Sequence, residues 1–219
     1  MEVDYIKRLY LVRHGVTAYV AARVIQGDDA PLSPEGVLET KALAARFTGI
    51  EFDVIVSSPF QRTQVTAQEI AHATGRKIVF NDDLVELRRS NSLTGKSRSD
   101  PKVVRAIRNF FKHATDENFT LKDGETAFQV VRRARRVLDF LKERPESRIA
   151  VVAHHGILTA LIAAMSHDED IEAARAFGFM YYFMLTSTTG LSIADLKTFT
   201  DNKYSTWQLI VWNDIAHLG

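Results

Sequence analysis

Short apolar runs alternate along most of the chain with segments whose apolar residues recur at helical spacing. The apolar runs predict strands at residues 8–12, 53–57, 77–80 and 149–153. Helical spacing predicts helices at residues 33–47, 62–74, 101–113, 124–143 and 156–165, and a helical stretch to about residue 176. Three more strand candidates follow at residues 179–185, 190–196 and 207–212. This order of elements predicts an α/β fold, a three-layer α/β/α sandwich around a mostly parallel mixed sheet.

Two helix boundaries carry clear signals. Ser33 is a good helix N-cap, and Pro34 suits the first helical position, where its missing N–H has no partner to lose. Gly75 is expected to end the helix before it, since glycine readily adopts the left-handed conformation found there. The chain shows no internal repeat, so we expect a single domain spanning residues 1–219. Residues 82–123 are less regular and are expected to form a lid-like insertion over the functional site.

The charge balance and the cysteine content exclude several kinds of function. The formal net charge is +1, which gives no global field to recruit nucleic acid or an anionic membrane. The most apolar windows fall short of the roughly 18 residues that a membrane span needs, and the first residues do not resemble a signal peptide. The chain has no cysteine, which removes disulfides, thiolate metal sites and cysteine nucleophiles. We therefore expect a soluble, cytoplasmic protein.

Candidate chemistry lies where predicted strands end. The first strand is followed by Arg13 and His14. The fourth is followed by His154, and Arg62 lies shortly beyond the second. Because the carboxyl ends of parallel strands meet at one edge of a sheet, these side chains are expected to converge. Such a cluster needs a counter-charge, and a phosphoryl dianion fits it. His155 adds the N-terminus of a helix, whose N–H groups favour an anion.

The segment Leu11-Val12-Arg13-His14-Gly15-Val16-Thr17 resembles the leading motif of the histidine phosphatase superfamily, the phosphoglycerate-mutase-like proteins. The resemblance covers nearly the whole chain, because further motifs follow in the family's order. These are Gln26-Gly27, residues 31–36, Ser57-Ser58-Pro59 with Arg62 and Thr66-Ala67, Leu84-Val85-Glu86, Gly124-Glu125-Thr126, Val152-Ala153-His154 and the closing residues 207–218 with Asn213-Asp214. The ordered set is far more specific than any one motif, and it implies the phosphoglycerate-mutase-like fold.

The resemblance also implies a phosphohistidine mechanism without metal or cofactor, acting on a small phosphorylated substrate. His14 would be the nucleophile, and Glu86 the general acid and base. Arg13, Arg62 and His154 would bind the phosphoryl oxygens and stabilise the transition state. A general acid must be protonated, and a low-polarity setting or a crowded phosphate is expected to raise the pKa of Glu86. The predicted substrate-binding residues are Thr17, Gln26, Gly27 and His155.

Three positions depart from the family pattern. Val20 stands where asparagine is common, which removes one phosphate hydrogen bond. His155 stands where glycine is usual, and residues 87–95 lack the Gly-x-Trp-Glu-Gly of many relatives. Val20 and the 87–95 loop favour a phosphatase over a phosphoglycerate mutase, which must keep its phosphorylated intermediate bound. The mutase stays open as an alternative. A non-catalytic phospholigand- or protein-binding module on the same fold is a second one, although the retained histidines and arginines argue against it.

Several assignments have plainer alternatives. The residues that compete with Glu86 for the acid role are Asp82, Asp83 and Glu125. The predicted binding residues of the first loop could instead only shape that loop. Arg88 and Arg89 are interpreted either as contacts for an anionic substrate tail or as a surface pair. The Arg132–Arg136 cluster is expected to be a solvated helix face, so no nucleic-acid partner is predicted. Residues 207–212 are interpreted as an edge strand or as the seam of a homodimer.

Overall fold

The computed structural model describes residues 3–28, 30–199 and 204–219. This described part contains a six-stranded sheet in the order β3-β2-β4-β1-β5-β6. The strands are β1 (Val3–Arg13), β2 (Val54–Ser57), β3 (Ile78–Phe80), β4 (Arg148–Ala153), β5 (Leu191–Phe199) and β6 (Tyr204–Asp214). The strands β3, β2, β4 and β1 are parallel, whereas β5 is antiparallel to β1 and β6 is antiparallel to β5. The predicted mostly parallel mixed sheet is confirmed.

Helices cover both faces of this sheet. They are α1 (Ala18–Ala21), α2 (Pro34–Phe47), α3 (Gln61–Thr74), α4 (Pro101–Lys112), α5 (Ala127–Glu143), α6 (His155–Ser166) and α7 (Asp170–Phe183), with short 3₁₀ turns at Asp82–Leu84, Asn91–Leu93 and Ala216–Leu218. Successive side chains of a strand point to opposite faces. Leu9 and Leu11 of β1 therefore belong to the core under α5, α6 and α7. Tyr10 and Val12 belong to the core under α2 and α3. The three-layer sandwich is thus confirmed.

The two predicted helix boundaries are also confirmed. The Ser33 hydroxyl accepts a hydrogen bond from the Gly36 N–H at 3.1 Å, and Pro34 is the first residue of α2. Gly75 follows α3 with a φ of 70°, a conformation in which a Cβ atom would be strained. Both signals are local, which is why the sequence shows them without knowledge of the fold.

The strand predicted at residues 179–185 is wrong, because α7 extends to Phe183. Alternating aromatic residues fit a strand by propensity. Phe177 and Tyr181 are instead one helical turn apart and buried, while the aromatic side chain between them is exposed. The ring of Tyr181 stacks on Phe111 of α4 with centroids 4.4 Å apart. Packing of this inner pair against the neighbouring helices therefore decides the conformation.

The solvated face predicted at Arg132–Arg136 is wrong for Arg133, which is only 3% exposed. Arg132 and Arg136 do lie in solvent and pair with carboxylates there. Arg133 lies on the apolar side of α5, together with the buried Val130 and Val137. A buried guanidinium needs partners, and those partners prove to belong to the functional site.

The remaining observations concern the edge of the sheet, the segment after β1 and the predicted location of the protein. β6 is at an edge of the sheet, as one of the two interpretations of residues 207–212 states, and the homodimer stays a prediction. The segment between β1 and α2 contains the short helix α1, which Thr17 caps. Within the described ranges, no helix combines the length and apolarity required to cross a membrane. The cytoplasmic location stays a prediction.

Candidate active site

Two neighbouring strands place His14 and His154 side by side. β1 and β4 are parallel, and their register pairs Arg13 with Ala153, the last residue of each strand. The two imidazoles that follow have centroids 5.2 Å apart. One phosphoryl group can contact both rings at this separation.

His14 is buried and holds its ring in a defined tautomer. Its Nδ1 lies 2.7 Å from the carbonyl oxygen of Gly15. A carbonyl only accepts, so the proton is on Nδ1 and the Nε2 lone pair is left unprotonated. Nε2 is buried and has no hydrogen-bond partner among the described residues. Burial, followed by the charges of Arg13 and Arg62, holds the pKa of His14 well below its ordinary value. The ring is thus neutral, as a nucleophile must be.

Arg62 joins the second histidine to the loop after β1. It is buried in the first turn of α3, and its Nε donates to Nδ1 of His154 at 3.2 Å. Its Nη1 donates to the carbonyls of Gly27 at 3.2 Å and Asp28 at 2.8 Å. His154 therefore carries its proton on Nε2, which donates to the Ser58 hydroxyl at 2.8 Å. Burial and the charge of Arg62 hold the pKa of His154 well below its ordinary value.

Arg13 is held by the loop before β5. Its Nη1 donates to the carbonyl of Thr186 at 2.6 Å, whereas its buried Nε has no partner in the part of the chain that the structure describes. The loop is itself fixed by Asn213, whose Oδ1 accepts the N–H of Ser187 at 2.6 Å. Arg13 therefore keeps one N–H that can bind an anion.

Glu86 lies at the N-terminus of α6. Its Oε1 accepts the N–H groups of Leu87 and Gly156, both at 2.8 Å. The helix end that was expected to favour a substrate anion thus binds this carboxylate instead. A Cβ atom at Gly156 would lie 2.3 Å from the same oxygen. Only glycine allows the helix to approach the carboxylate this closely.

The raised pKa expected at Glu86 is wrong for this arrangement. Burial by itself raises the pKa of the carboxyl. The charge of Arg89 opposes it, as does the hydrogen bond from the Leu87 N–H, and the net effect lowers the pKa. Arg89 also donates from Nη2 to the Tyr181 hydroxyl. The expectation took account of a low-polarity setting and of a crowded phosphate, but not of this arginine near the carboxylate.

The predicted substrate-binding residues have different positions. Thr17 is buried, and its hydroxyl donates to Gln26 Oε1 at 2.9 Å. Gln26, Gly27 and His155 line cavities beside Glu86. Burial lowers the pKa of His155 to about 3, so its ring is neutral near neutral pH. Thr17 thus supports Gln26, while the other three residues form walls of the site.

Sequence reasoning missed the residues that fix the turn after the first histidine. The Glu39 carboxylate accepts the Val16 N–H at 2.8 Å and the Thr188 hydroxyl at 3.0 Å. The Thr66 hydroxyl accepts the Gly15 N–H at 3.2 Å. These contacts tie the turn to α2 and α3. Glu39 lies on an amphipathic helix, where a polar residue gives no sequence signal of such a role. Thr66 belongs to a motif of the resemblance, which did not predict this contact.

The donors gathered here suit an anion. Guanidinium N–H groups match the oxygens of a phosphoryl group. Within the described ranges, no group of three or more histidine and acidic side chains is placed to hold a metal ion. The metal-free mechanism stays a prediction that a chelator can test.

Comparisons with known proteins identify the family. The model of the histidine phosphatase superfamily (branch 1) matches residues 9–204. A relative from Yersinia enterocolitica, named probable phosphoglycerate mutase GpmB, is 32% identical over 168 residues, which are 74% of this chain and 78% of that one.

Solved structures give the same fold. A phosphoserine phosphatase mutant from Entamoeba histolytica, in complex with phosphoserine, has a TM-score of 0.78 at 22% identity and covers 98% of this chain and 100% of its own. A mycobacterial glucosyl-3-phosphoglycerate phosphatase has a TM-score of 0.74 at 23% identity, with 94% and 98% covered. At these identities the likeness establishes the fold and not the substrate. The family model covers most of the chain, and this chain belongs to the histidine phosphatase superfamily.

Proposed function

We propose that the protein is a metal-independent phosphatase that hydrolyses phosphomonoesters through a phosphohistidine on His14. The observation that carries this proposal is the buried, unprotonated Nε2 of His14, which has no partner among the described residues. The neighbouring charges are those of Arg13 and Arg62, which act on the pKa of this ring. A neutral nucleophile between cations is suited to attack a dianionic phosphorus centre.

In the first step, Nε2 of His14 forms a bond to phosphorus while the bond from phosphorus to the ester oxygen breaks. Arg13, Arg62 and His154 bind the phosphoryl oxygens, and Glu86 gives its proton to the leaving alcohol. In the second step, a water oxygen attacks phosphorus and the N–P bond breaks. Glu86 takes the proton of that water, and inorganic phosphate leaves.

The lowered pKa of Glu86 is compatible with this role once substrate charge is considered. The phosphoryl group of a bound ester brings two negative charges to the cationic site. These charges offset the attraction of Arg89, and burial is then left to raise the pKa of the carboxyl. We therefore expect the substrate itself to help protonate its general acid.

The test uses 4-nitrophenyl phosphate and a phosphoenzyme trapped at alkaline pH. His14→Ala should lower turnover by more than about 10³-fold and remove the phosphoenzyme. His72→Ala, an exposed histidine on α3, is the matched control and should retain both. Turnover or phosphoenzyme that survives in His14→Ala would refute the nucleophile.

A phosphoglycerate mutase is the second candidate, because the Yersinia relative carries that name. Incubation with 3-phosphoglycerate separates the two reactions, since a phosphatase releases inorganic phosphate and a mutase forms 2-phosphoglycerate. We expect phosphate to appear faster, and the reverse order would favour the mutase. Failure to turn over any ester from about pH 5 to about pH 8 would favour a phospholigand- or protein-binding module.

A further inference from the structure

Two cavities border Glu86, and they differ in chemistry. The first has a volume of about 280 Å³. Its apolar lining is Val104, Ile107, Tyr181, Tyr182 and Leu185, and its polar lining is Arg13, Gln26, Glu86, Arg98 and His155. We call it the apolar cavity after the first group. The second has a volume of about 550 Å³ and is lined mostly by polar side chains, among them Asp28, Asn91 and Asp123. We call it the polar cavity.

Arg13 and Arg62 face different cavities. Arg13 lines the apolar cavity, and its Nε is the donor that lacks a partner among the described residues. Arg62 lines the polar cavity, where its Nη1 already donates to the carbonyls of Gly27 and Asp28. A phosphoryl group that accepts from Arg13 Nε is therefore next to the apolar cavity, and the rest of the molecule can extend into it.

The mouth of the apolar cavity exposes large apolar groups. Tyr182 is 52% exposed, Leu185 66% and Val104 42%. Exposed apolar groups clustered beside a site commonly mark a ligand surface, because a ligand that covers them removes apolar area from water. A small polar alcohol would leave these side chains exposed.

We propose that the apolar cavity receives the alcohol part of the substrate, and that this alcohol is bulky and apolar, such as an arylalkyl group. The proposal rests on the proposed function, since it requires a phosphoryl group at Arg13. If the alcohol part were a small hydroxy acid, the polar cavity would suit it better.

The experiment compares two alkyl esters with poor leaving groups, benzyl phosphate and glycerol 3-phosphate. We expect kcat/KM to be at least about tenfold higher for the benzyl ester. Leu185→Ser and Tyr182→Ser should each reduce that preference about threefold or more. Phe183→Ser is the matched control, because Phe183 is on the same helix as Tyr182, is 75% exposed and does not line the cavity.

Equal rates for the two esters, a preference for the glycerol ester, or an equal effect of Phe183→Ser would overturn the proposal. A binding arm separates it from the proposed function. Benzylphosphonate should bind more tightly than methylphosphonate in calorimetry, and Leu185→Ser should remove the difference. If this holds while no ester is hydrolysed, the cavity assignment stands and the phosphatase proposal fails.

A second inference concerns the buried Arg133 of α5. Its Nε and Nη2 donate to the two oxygens of Glu125 at 2.9 and 2.8 Å. The pair is bidentate and buried, a geometry that fixes both side chains. Glu125 is thereby committed to this ion pair, which argues against it as the general acid.

The remaining donors of Arg133 hold the backbone around Glu86. They reach the carbonyls of Asp83 at 2.7 Å, Val85 at 2.6 Å and Glu86 at 3.3 Å. On the other side of Glu86, the backbone N–H of Arg88 donates to Glu125 Oε2 at 2.9 Å, and the Arg88 carbonyl accepts the Glu125 N–H at 2.8 Å. The Arg133–Glu125 pair thus fixes the chain before and after the carboxylate.

We infer that Arg133 is a positioning residue for the acid step assigned to Glu86. It contacts the backbone of the acid and not the substrate, so its loss should affect proton donation more than phosphoryl binding. Removal would leave one buried and two part-buried carbonyls without this donor, and Glu125 without its counter-charge. The segment that carries Glu86 would then be less well fixed.

The readout is the dependence on the leaving group. In Arg133→Met, turnover of benzyl phosphate should fall about 10²-fold, while turnover of 4-nitrophenyl phosphate, whose alcohol needs little protonation, should fall less than about threefold. Arg133→Lys keeps a charge and some of the donors, so it should also slow benzyl phosphate more than 4-nitrophenyl phosphate, but by a smaller factor. If Arg133→Met does not fold, the comparison is made with Arg133→Lys.

Arg136→Met is the matched control on the same helix, since Arg136 is exposed and pairs with the side chain of Asp83, not with the loop backbone, among the described contacts. It should leave the ratio of the two turnover rates unchanged. If the ratio of the two turnover rates is unchanged in both Arg133 variants, the inference is overturned. Equal slowing of both esters would then assign Arg133 a general structural role.

Discussion

Replacing Gly156 with alanine is expected to impair the acid step far more than it impairs folding. The new Cβ atom would lie 2.3 Å from Oε1 of Glu86 and 2.9 Å from the Leu87 Cβ atom, whereas ordinary contact begins at 3.4 Å. The backbone of Gly156 is held within α6, so the Glu86 carboxylate must move by about 1 Å to restore ordinary contact. A displacement of about 1 Å in a reacting group costs on the order of 10²-fold in rate.

The stability effect of Gly156→Ala combines two opposite contributions. Alanine favours a helix over glycine by about 0.5–1 kcal/mol. Loss of the hydrogen bond from the Gly156 N–H to the carboxylate costs about 1.5–3 kcal/mol. A net loss of about 0.5–2.5 kcal/mol follows, which lowers Tm by several degrees without unfolding a chain of this size near room temperature.

The assay compares benzyl phosphate with 4-nitrophenyl phosphate at a temperature well below the Tm of the variant. The benzyl ester should lose about 10²-fold in kcat, and the nitrophenyl ester much less. Gly49→Ala is the control, because a Cβ atom there meets its nearest atom at 3.7 Å. A wild-type rate for benzyl phosphate in Gly156→Ala would show that the position of this carboxylate does not limit the reaction.

Three further outcomes concern the supporting structure and the metal-free account. Gly36→Ala should lower Tm and kcat together, since its Cβ atom would lie 2.0 Å from the Val16 carbonyl and overpacking costs about 1–3 kcal/mol; an unchanged melting curve would contradict this. The ion pair with Arg46 lowers the pKa of Asp214 from 3.8 to about 2. The ionised Asp214 therefore stabilises the folded state above its ordinary pKa of 3.8, and this contribution is lost as pH falls through the folded-state pKa of about 2. Asp214→Asn should therefore lower Tm near neutral pH but not near pH 2. An equal fall of Tm at both pH values would refute this reasoning. A chelator should leave phosphatase activity unchanged, and inhibition reversed by a divalent ion would reject the metal-free mechanism.

The sequence by itself determined much of the framework. Strand positions, the Ser33 cap and the turn at Gly75 depend on local preferences, which act before any tertiary contact forms. The juxtaposition of His14 and His154 could also be predicted, because parallel neighbouring strands bring their carboxyl ends to one edge. The order of the motifs was enough to identify the family.

Tertiary structure alone decided the properties that depend on distant partners. The Tyr181 segment is helical because its inner rings pack against neighbouring helices, although its aromatic pattern fits a strand equally well. Arg133 is buried because a loop far away in sequence supplies carbonyls to its guanidinium, while the nearby Glu125 supplies the carboxylate. The pKa of Glu86 is lowered because Arg89 lies near it in space. Electrostatic interactions and burial depend on the distances between segments that are remote in sequence, and a local sequence pattern does not contain those distances.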